Sequence, residues 1–259
     1  MDLHDFSDIA ENYDYYLNSL GSYSGFEEFY LSLAQKYGEK GIIDIACGTG
    51  ALTIPLIKQG FDVIAVDLSK AMIDVTNKKL LEQGLSINTI TANMTNFSLD
   101  RKFSLAIIAR GGFMHLTTPV EQRVALLNIK SHLTDDGILT LHTFEPLVEA
   151  QYDQIHTSEN DFSLRCEYTN KDGKQERIYN AIHYEPKTQI MSGNWRFDTL
   201  DDDGNVVSSR IRPLKMRQTY KTEMEYLIEL CGFEVIDIFS GFNYQPANGI
   251  LIWILKKVK

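Results

Sequence analysis

The sequence predicts an α/β protein: a doubly wound, mostly parallel sheet with helices before it and an antiparallel β insertion late in the chain. Three observations carry this. Phe6, Ile9, Tyr13 and Tyr16, then Phe26, Phe29, Tyr30 and Leu33, recur at helical spacing ahead of residue 41. Beyond it, short runs rich in Ile and Val alternate with helix-patterned segments, the texture of parallel strands covered on both faces. After about residue 150, Asp172-Gly173 and the run DDDGN separate segments of alternating polarity, a hairpin signal.

Each element follows from its own residues. GIIDIA reads as a buried strand entering a small-residue turn, and ALTIPLIKQG as a helix ended by Gly60. FDVIAVD is a second strand. SKAMIDVTNKKLLEQG is a helix with Ser69 as its N-cap and Gly84 past its end. SINTITA and KFSLAIIA are strands three and four, PVEQRVALLNIKSHL a helix opened by Pro119, and GILTLHTF strand five. FSLRCEYTN and ERIYNAIHYE form one hairpin of the insertion, QIMSGNWRFDTL and VVSSRIR the other. KTEMEYLIELCG is the last helix, and FEVIDIFSGF and GILIWILKKV bring the main sheet to seven strands. The expected division is a core of residues 1–150 and 214–259, with an insertion over 151–213 that covers a pocket at one end of the sheet.

The totals narrow the class. With 259 residues and 44% hydrophobic content, the chain can bury a sizeable core. Its net charge of −10 works against a groove for phosphodiester backbone. Cys47, Cys166 and Cys231 are too scattered for a disulfide framework or a zinc site, which fits a reducing compartment. The start MDLHDFSDIAENYDYY lacks the apolar core of a signal peptide, and the longest apolar run, GILIWIL, is too short to span a bilayer. The expectation is a cytoplasmic protein with no membrane partner.

The chemistry concentrates where the first strand ends, in DIACGTG. Gly48 and Gly50 carry no side chains to block an approaching ligand, and the following helix offers unpaired N–H groups. Asp67 closes the second strand, where a carboxylate can accept both hydroxyls of a ribose. A nicotinamide dehydrogenase and an adenosine-binding transferase both fit so far. Thr53 at the third small position departs from the dinucleotide fingerprint, and Asp44 before the first glycine is foreign to it.

With these residues in view, the sequence resembles the class I S-adenosylmethionine-dependent methyltransferases of the small-molecule type. DIACGTG is similar to their D/E-x-x-x-G-x-G motif, VDLSKAMI to their ribose-binding motif, and TANMTNF to the segment framing adenine, with Asn93 where many relatives carry Asp. The resemblance implies a Rossmann-like seven-stranded sheet whose last strand is antiparallel, S-adenosylmethionine as cofactor, and roles for particular residues. Ala46, Cys47 and Gly48 would line the methionine portion. Asp67 would hold the ribose, Leu68 and Met72 would pack on adenine, and Asn93 and the Met94 backbone would meet its polar edge. Tyr13 resembles the aromatic of an N-terminal helical lid. Asp44 would steady the turn from beneath.

The acceptor belongs beyond the fourth strand, at ARGGFMHL. That run lacks the Asn/Asp-Pro-Pro-aromatic motif with which amino-methyltransferases of nucleic acids hold a flipped base. His115 is the candidate general base or positioning group, and Arg110 the candidate contact for the cofactor carboxylate or an anionic substrate. His142 belongs to the core or the pocket wall. Tyr15, Tyr16 and Tyr23 are further candidates for the lid, and Trp195, Arg196 and Arg217 for the acceptor pocket. DDDGN lacks the spacing of a calcium loop and reads as a hairpin tip. No metal is expected. The expected reaction is methyl transfer to N or O of a small molecule such as an amino sugar or other small amine. RNA or protein methylation, and a cofactor-binding module without catalysis, are the rival readings. Partners are the acceptor and, if the chain self-associates, a second copy in a homodimer.

Overall fold

A computed structural model describes residues 6–20, 24–144, 148–158, 160–242 and 249–258, so Tyr23 lies outside the described residues. Two helices lead, α1 (Tyr13–Ser19) and α2 (Phe26–Tyr37). The alternating part follows: β1 (Ile42–Ile45), α3 (Thr53–Lys58), β2 (Val63–Asp67), α4 (Lys70–Glu82), β3 (Thr89–Thr91), β4 (Phe103–Ile108), α5 (Pro119–Ser131) and β5 (Leu133–Phe144). After α6 (Val148–His156) come the hairpin strands β6 (Ser163–Thr169), β7 (Gln175–Glu185), β8 (Ile190–Leu200) and β9 (Val206–Arg217). The chain closes with α7 (Lys221–Leu230), β10 (Phe233–Phe239) and β11 (Ile250–Lys257).

The main sheet has the order β10-β11-β5-β4-β1-β2-β3. β1 to β5 pair in parallel, and β11 runs antiparallel between β5 and β10. Strand order reverses between β1 and β4, so the connections after them leave in opposite directions and open a crevice at their carboxyl ends. Both faces are covered. Phe103, Ala106 and Ile108 of β4 join Leu126 and Ile129 of α5 in one core, while Leu105 and Ile107 join Phe29, Tyr30 and Leu56 in the other. This double burial is why the strand runs apolar from Leu105 to Ile108 rather than alternating.

Local chemistry sets the element ends. Ser69 Oγ accepts from the Met72 N–H at 3.4 Å to cap α4, and Thr118 with Glu121 forms a reciprocal cap on α5. Four elements differ from the sequence expectation, the first being α6, a nine-residue helix where the sequence predicts the start of the hairpin insertion. The N-terminal helical pattern divides into a 3₁₀ turn at Ala10–Asn12 and α1. The helix in ALTIPLIKQG begins only at Thr53, because the left-handed backbone at Gly50, with φ 79°, delays it. β3 has just three residues, as an edge strand paired on one side.

The hairpin strands form a separate antiparallel sheet, β6-β7-β8-β9. Pro213 lies on its edge strand β9, where a missing N–H costs no ladder bond on the outer side. Ile9, Tyr16 and Leu17 pack with Tyr168, Ile178 and Phe197 of this sheet, so the N-terminal segment lies against the small sheet. No helix among the described residues is long and apolar enough to cross a membrane.

Candidate functional site

At the crevice, the ends of β1 and β4 both turn through left-handed backbone at non-glycine residues, Ala46 with φ 57° and Arg110 with φ 51°. Each costs on the order of 1–2 kcal/mol, strain that persists only where the surroundings fix it. Three bonds fix the first turn, and a fourth orients the carboxylate that makes one of them. Asp67 Oδ2 accepts from the Gly48 N–H at 2.8 Å, and its Oδ1 from the Ser69 N–H at 2.8 Å. Thr76 donates from Oγ1 to the Gly48 carbonyl at 2.8 Å, and the Cys47 N–H donates to the Val66 carbonyl at 3.1 Å. Beneath them Thr53 Oγ1 donates to buried Asp44 at 2.6 Å, so Asp44 steadies the start of α3.

The two glycines differ. A Cβ at Gly48 would meet nothing within 4 Å, so the space over it is open. At Gly50 it would lie 2.9 Å from Thr76 Cγ2. Gly50 therefore serves the packing of α4 against the turn and is not on the cavity wall, a correction to the role read from the motif.

The cavity over the turn has a volume of about 220 Å³. Tyr13, Ala46, Cys47, Gly48, Asp67, Leu68, Met72, Asn93, Met94, Arg110 and His115 all line it. Asn93 does so in a way the sequence did not indicate. Its Oδ1 accepts from both the Thr95 N–H and the Thr95 hydroxyl, each at 2.9 Å, which leaves its amide nitrogen as the atom offered to a base. The Arg110 guanidinium lies 4.4 Å from the centre of the Phe26 ring.

Burial governs the electrostatics. Desolvation, reinforced by the Asp67 charge and opposed by Thr53, lifts the Asp44 carboxyl to about 7. Desolvation first, then Asp44 and Asp67, holds the Cys47 thiol well above its usual value, so at neutral pH it is no nucleophile. His142 is pushed down to about 3 by burial and by Arg110, and packs as a neutral ring against Phe144 at 5.0 Å and Phe242 at 5.7 Å. It belongs to the core and lines neither this cavity nor the next.

α1 is tied across the turn. Thr49 Oγ1 donates to Asp14 Oδ1 at 2.5 Å, and Lys79 pairs with Asp14 Oδ2 while donating to the Thr49 carbonyl at 2.9 Å. This holds Tyr13 at the cavity. Sequence reading missed Asp14 and Lys79, which belong to no motif and stand 65 residues apart.

A second cavity of about 200 Å³ adjoins the first and shares Phe6, Tyr13, Leu17, Arg110 and His115 with it. Its far wall comes from the small sheet and includes Trp195, Arg165, Arg212 and Lys215, with Tyr16 from α1. Of the candidates for the acceptor pocket, Trp195 lines this second cavity. Arg196 does not: it pairs with Asp198 at 3.1 Å and covers the Tyr179 ring at 4.2 Å. Arg217 is committed to Gln122, Thr219, Gln189 and Glu223 in a buried network off the cavity, and Tyr15 is exposed and lines neither space. The DDDGN tip is closed by Asp201, which accepts from the Asp203 and Asn205 N–H groups.

Comparison with known proteins agrees with this geometry. Residues 42–137 match a family described as a methyltransferase domain. A protein of Geobacillus sp. (strain WCH70) named as a methyltransferase is 29% identical over 248 residues, 94% of each chain. A glycine/sarcosine N-methyltransferase of Aphanothece halophytica is 27% identical, with 96% of this chain and 88% of that one covered. The crystal structure of an S-adenosylmethionine-dependent methyltransferase from Clostridium acetobutylicum has the same fold, with a TM-score of 0.77 over 98% of this chain and 99% of that one at 17% identity.

Proposed function

We propose that this chain is a class I S-adenosylmethionine-dependent methyltransferase and that it methylates a nitrogen or oxygen of a small-molecule acceptor. When bound, S-adenosylmethionine supplies a sulfonium-activated methyl group for in-line displacement. The residues present fit it. Gly48 leaves open space, the Asp67 carboxylate stands on the wall for a ribose, and Leu68 and Met72 offer apolar surface for a base.

The observation that carries the proposal is the junction of the two cavities at Arg110 and His115. A cofactor seated in the first would meet an acceptor seated in the second there, with Phe6, Tyr13 and Leu17 excluding water. A cavity of about 200 Å³ suits a small acceptor. The glycine/sarcosine N-methyltransferase relative supports an amine among the choices. On this reading the insertion covers the acceptor pocket, and His115 takes a proton from the acceptor or aligns it.

The test is adenosylhomocysteine release over a panel of small amines and hydroxyl compounds. With an acceptor found, His115→Ala should lower kcat by about 100-fold, the low end for general-base catalysis. Adenosylhomocysteine affinity should stay within about twofold. An unchanged kcat would remove His115 from the chemistry.

A further inference from the structure

We infer that the acceptor taken by the second cavity is an organic anion, a carboxylate or a phosphate ester on a small apolar or planar body. The inference rests on the small-molecule reading above and names its substrate class. Arg110, Arg165, Arg212 and Lys215 line this cavity, and among the described residues no Asp or Glu does. In a chain with 35 acidic and 25 basic residues, a wall drawn at random would carry more acids than bases. The four cations come from distant parts of the chain, Arg110 after β4, Arg165 on β6, and Arg212 and Lys215 on β9. Folding collects them around one space.

The wall keeps a net positive charge. Buried Arg212 donates from Nη1 to Asp8 Oδ1 at 2.8 Å and lies 3.8 Å over the Phe6 ring, so it is fixed in place and largely neutralised. Arg165 donates from Nε to the Tyr16 hydroxyl at 3.2 Å, a neutral partner. Neither Arg165 nor Lys215 forms an ion pair with a carboxylate among the described residues. Tyr16, Trp195 and Phe144 line the same space, offering apolar surface beside Arg165 and Lys215, which are themselves exposed. In such a setting each charge-assisted bond to an anion is worth about tenfold or more in affinity. The same field disfavours an ammonium and favours the free amine, or an oxyanion over its hydroxyl, which prepares the nucleophile without a carboxylate base.

The experiment uses the full chain saturated with adenosylhomocysteine, whose own titration is recorded first. Matched pairs are then titrated calorimetrically: phenylacetate with phenylacetamide, N-acetylglycine with its amide, phenyl phosphate with phenol, and glucose 6-phosphate with glucose. At least one charged member should bind tenfold or more tightly than its neutral partner. That advantage should fall about tenfold in Arg165→Gln and in Lys215→Gln, and should weaken with added salt. Whether a carboxylate or a phosphate pair shows it identifies the anion. Equal binding within every pair, or no binding by any charged member, overturns the inference. Failure of adenosylhomocysteine itself to bind would overturn the methyltransferase-site reading beneath it.

Discussion

The first cavity is floored by one short stretch, the turn from Ala46 to Ala51 that leaves β1, which supplies Ala46, Cys47, Gly48, Thr49 and Ala51 to its lining beside Asp67 at the end of β2. The second is walled by side chains from α1, β6, β8, β9 and the segment after β4. Backbone geometry tolerates little substitution, because left-handed turns and N–H donors need particular residues at fixed offsets. Side-chain walls can be rebuilt one residue at a time on the same scaffold. The difference teaches where the cofactor requirement and the acceptor requirement are stored, and each can be broken separately.

The largest effect should come from Asp67→Ala. It removes the acceptor for both the Gly48 and Ser69 N–H groups together with the proposed ribose anchor. At about 1.5–3 kcal/mol for a hydrogen bond to a charged group, adenosylhomocysteine affinity by calorimetry should fall roughly 100-fold. A loss under about threefold would remove the carboxylate from the site. Next, the two glycines should separate stability from binding. Gly50→Ala drives a Cβ against Thr76 at positive φ and should cost about 1–3 kcal/mol in urea unfolding. Gly48→Ala should cost about 1 kcal/mol and instead weaken the cofactor, since its Cβ enters open space. Equal destabilisation by the two would contradict the distinction.

Lys79→Met should loosen the tie between α1 and the turn, with an effect of at most about fivefold, seen mainly as faster adenosylhomocysteine dissociation. An unchanged off-rate would show that the tie does not hold the ligand.

A further effect concerns pH. Unfolded Asp44 ionises above 3.8 while the native group stays protonated to about 7, so this residue makes stability fall as pH rises between them. Unfolded His142 is protonated below 6.5 while the native ring stays neutral down to about 3, so it makes stability rise with pH. The two slopes oppose each other from about pH 4 to 6.5. Relative to the parent, Asp44→Asn should make Tm climb more steeply with pH in that window, and His142→Leu less steeply. Parallel profiles for the two variants would refute the opposed titrations.

Much of the fold was legible because its signals are local. The strand runs, Ser69, Pro119 and the acid-glycine hairpins act through near neighbours and fall where the structure has them. The turn residues and Asp67 were legible for the same reason, and all but Gly50 reach the cavity. What escaped was whatever depends on pairing across the chain. Asp14 with Lys79, Arg165 with Tyr16, and Arg212 with Phe6 and Asp8 have no spacing to betray them. Arg196 and Arg217 looked equally eligible for the acceptor pocket, but cross-strand and network partners claimed them. The commitment of Asn93 to Thr95 is a local turn that the motif comparison concealed.

The most direct measurement is a crystal structure of the chain with adenosylhomocysteine. The account predicts the nucleoside across the carboxyl ends of β1 and β2, its ribose hydroxyls on Asp67 and its sulfur facing the junction at Arg110 and His115. Density for the nucleoside elsewhere, or a ribose with no contact to Asp67, would contradict it.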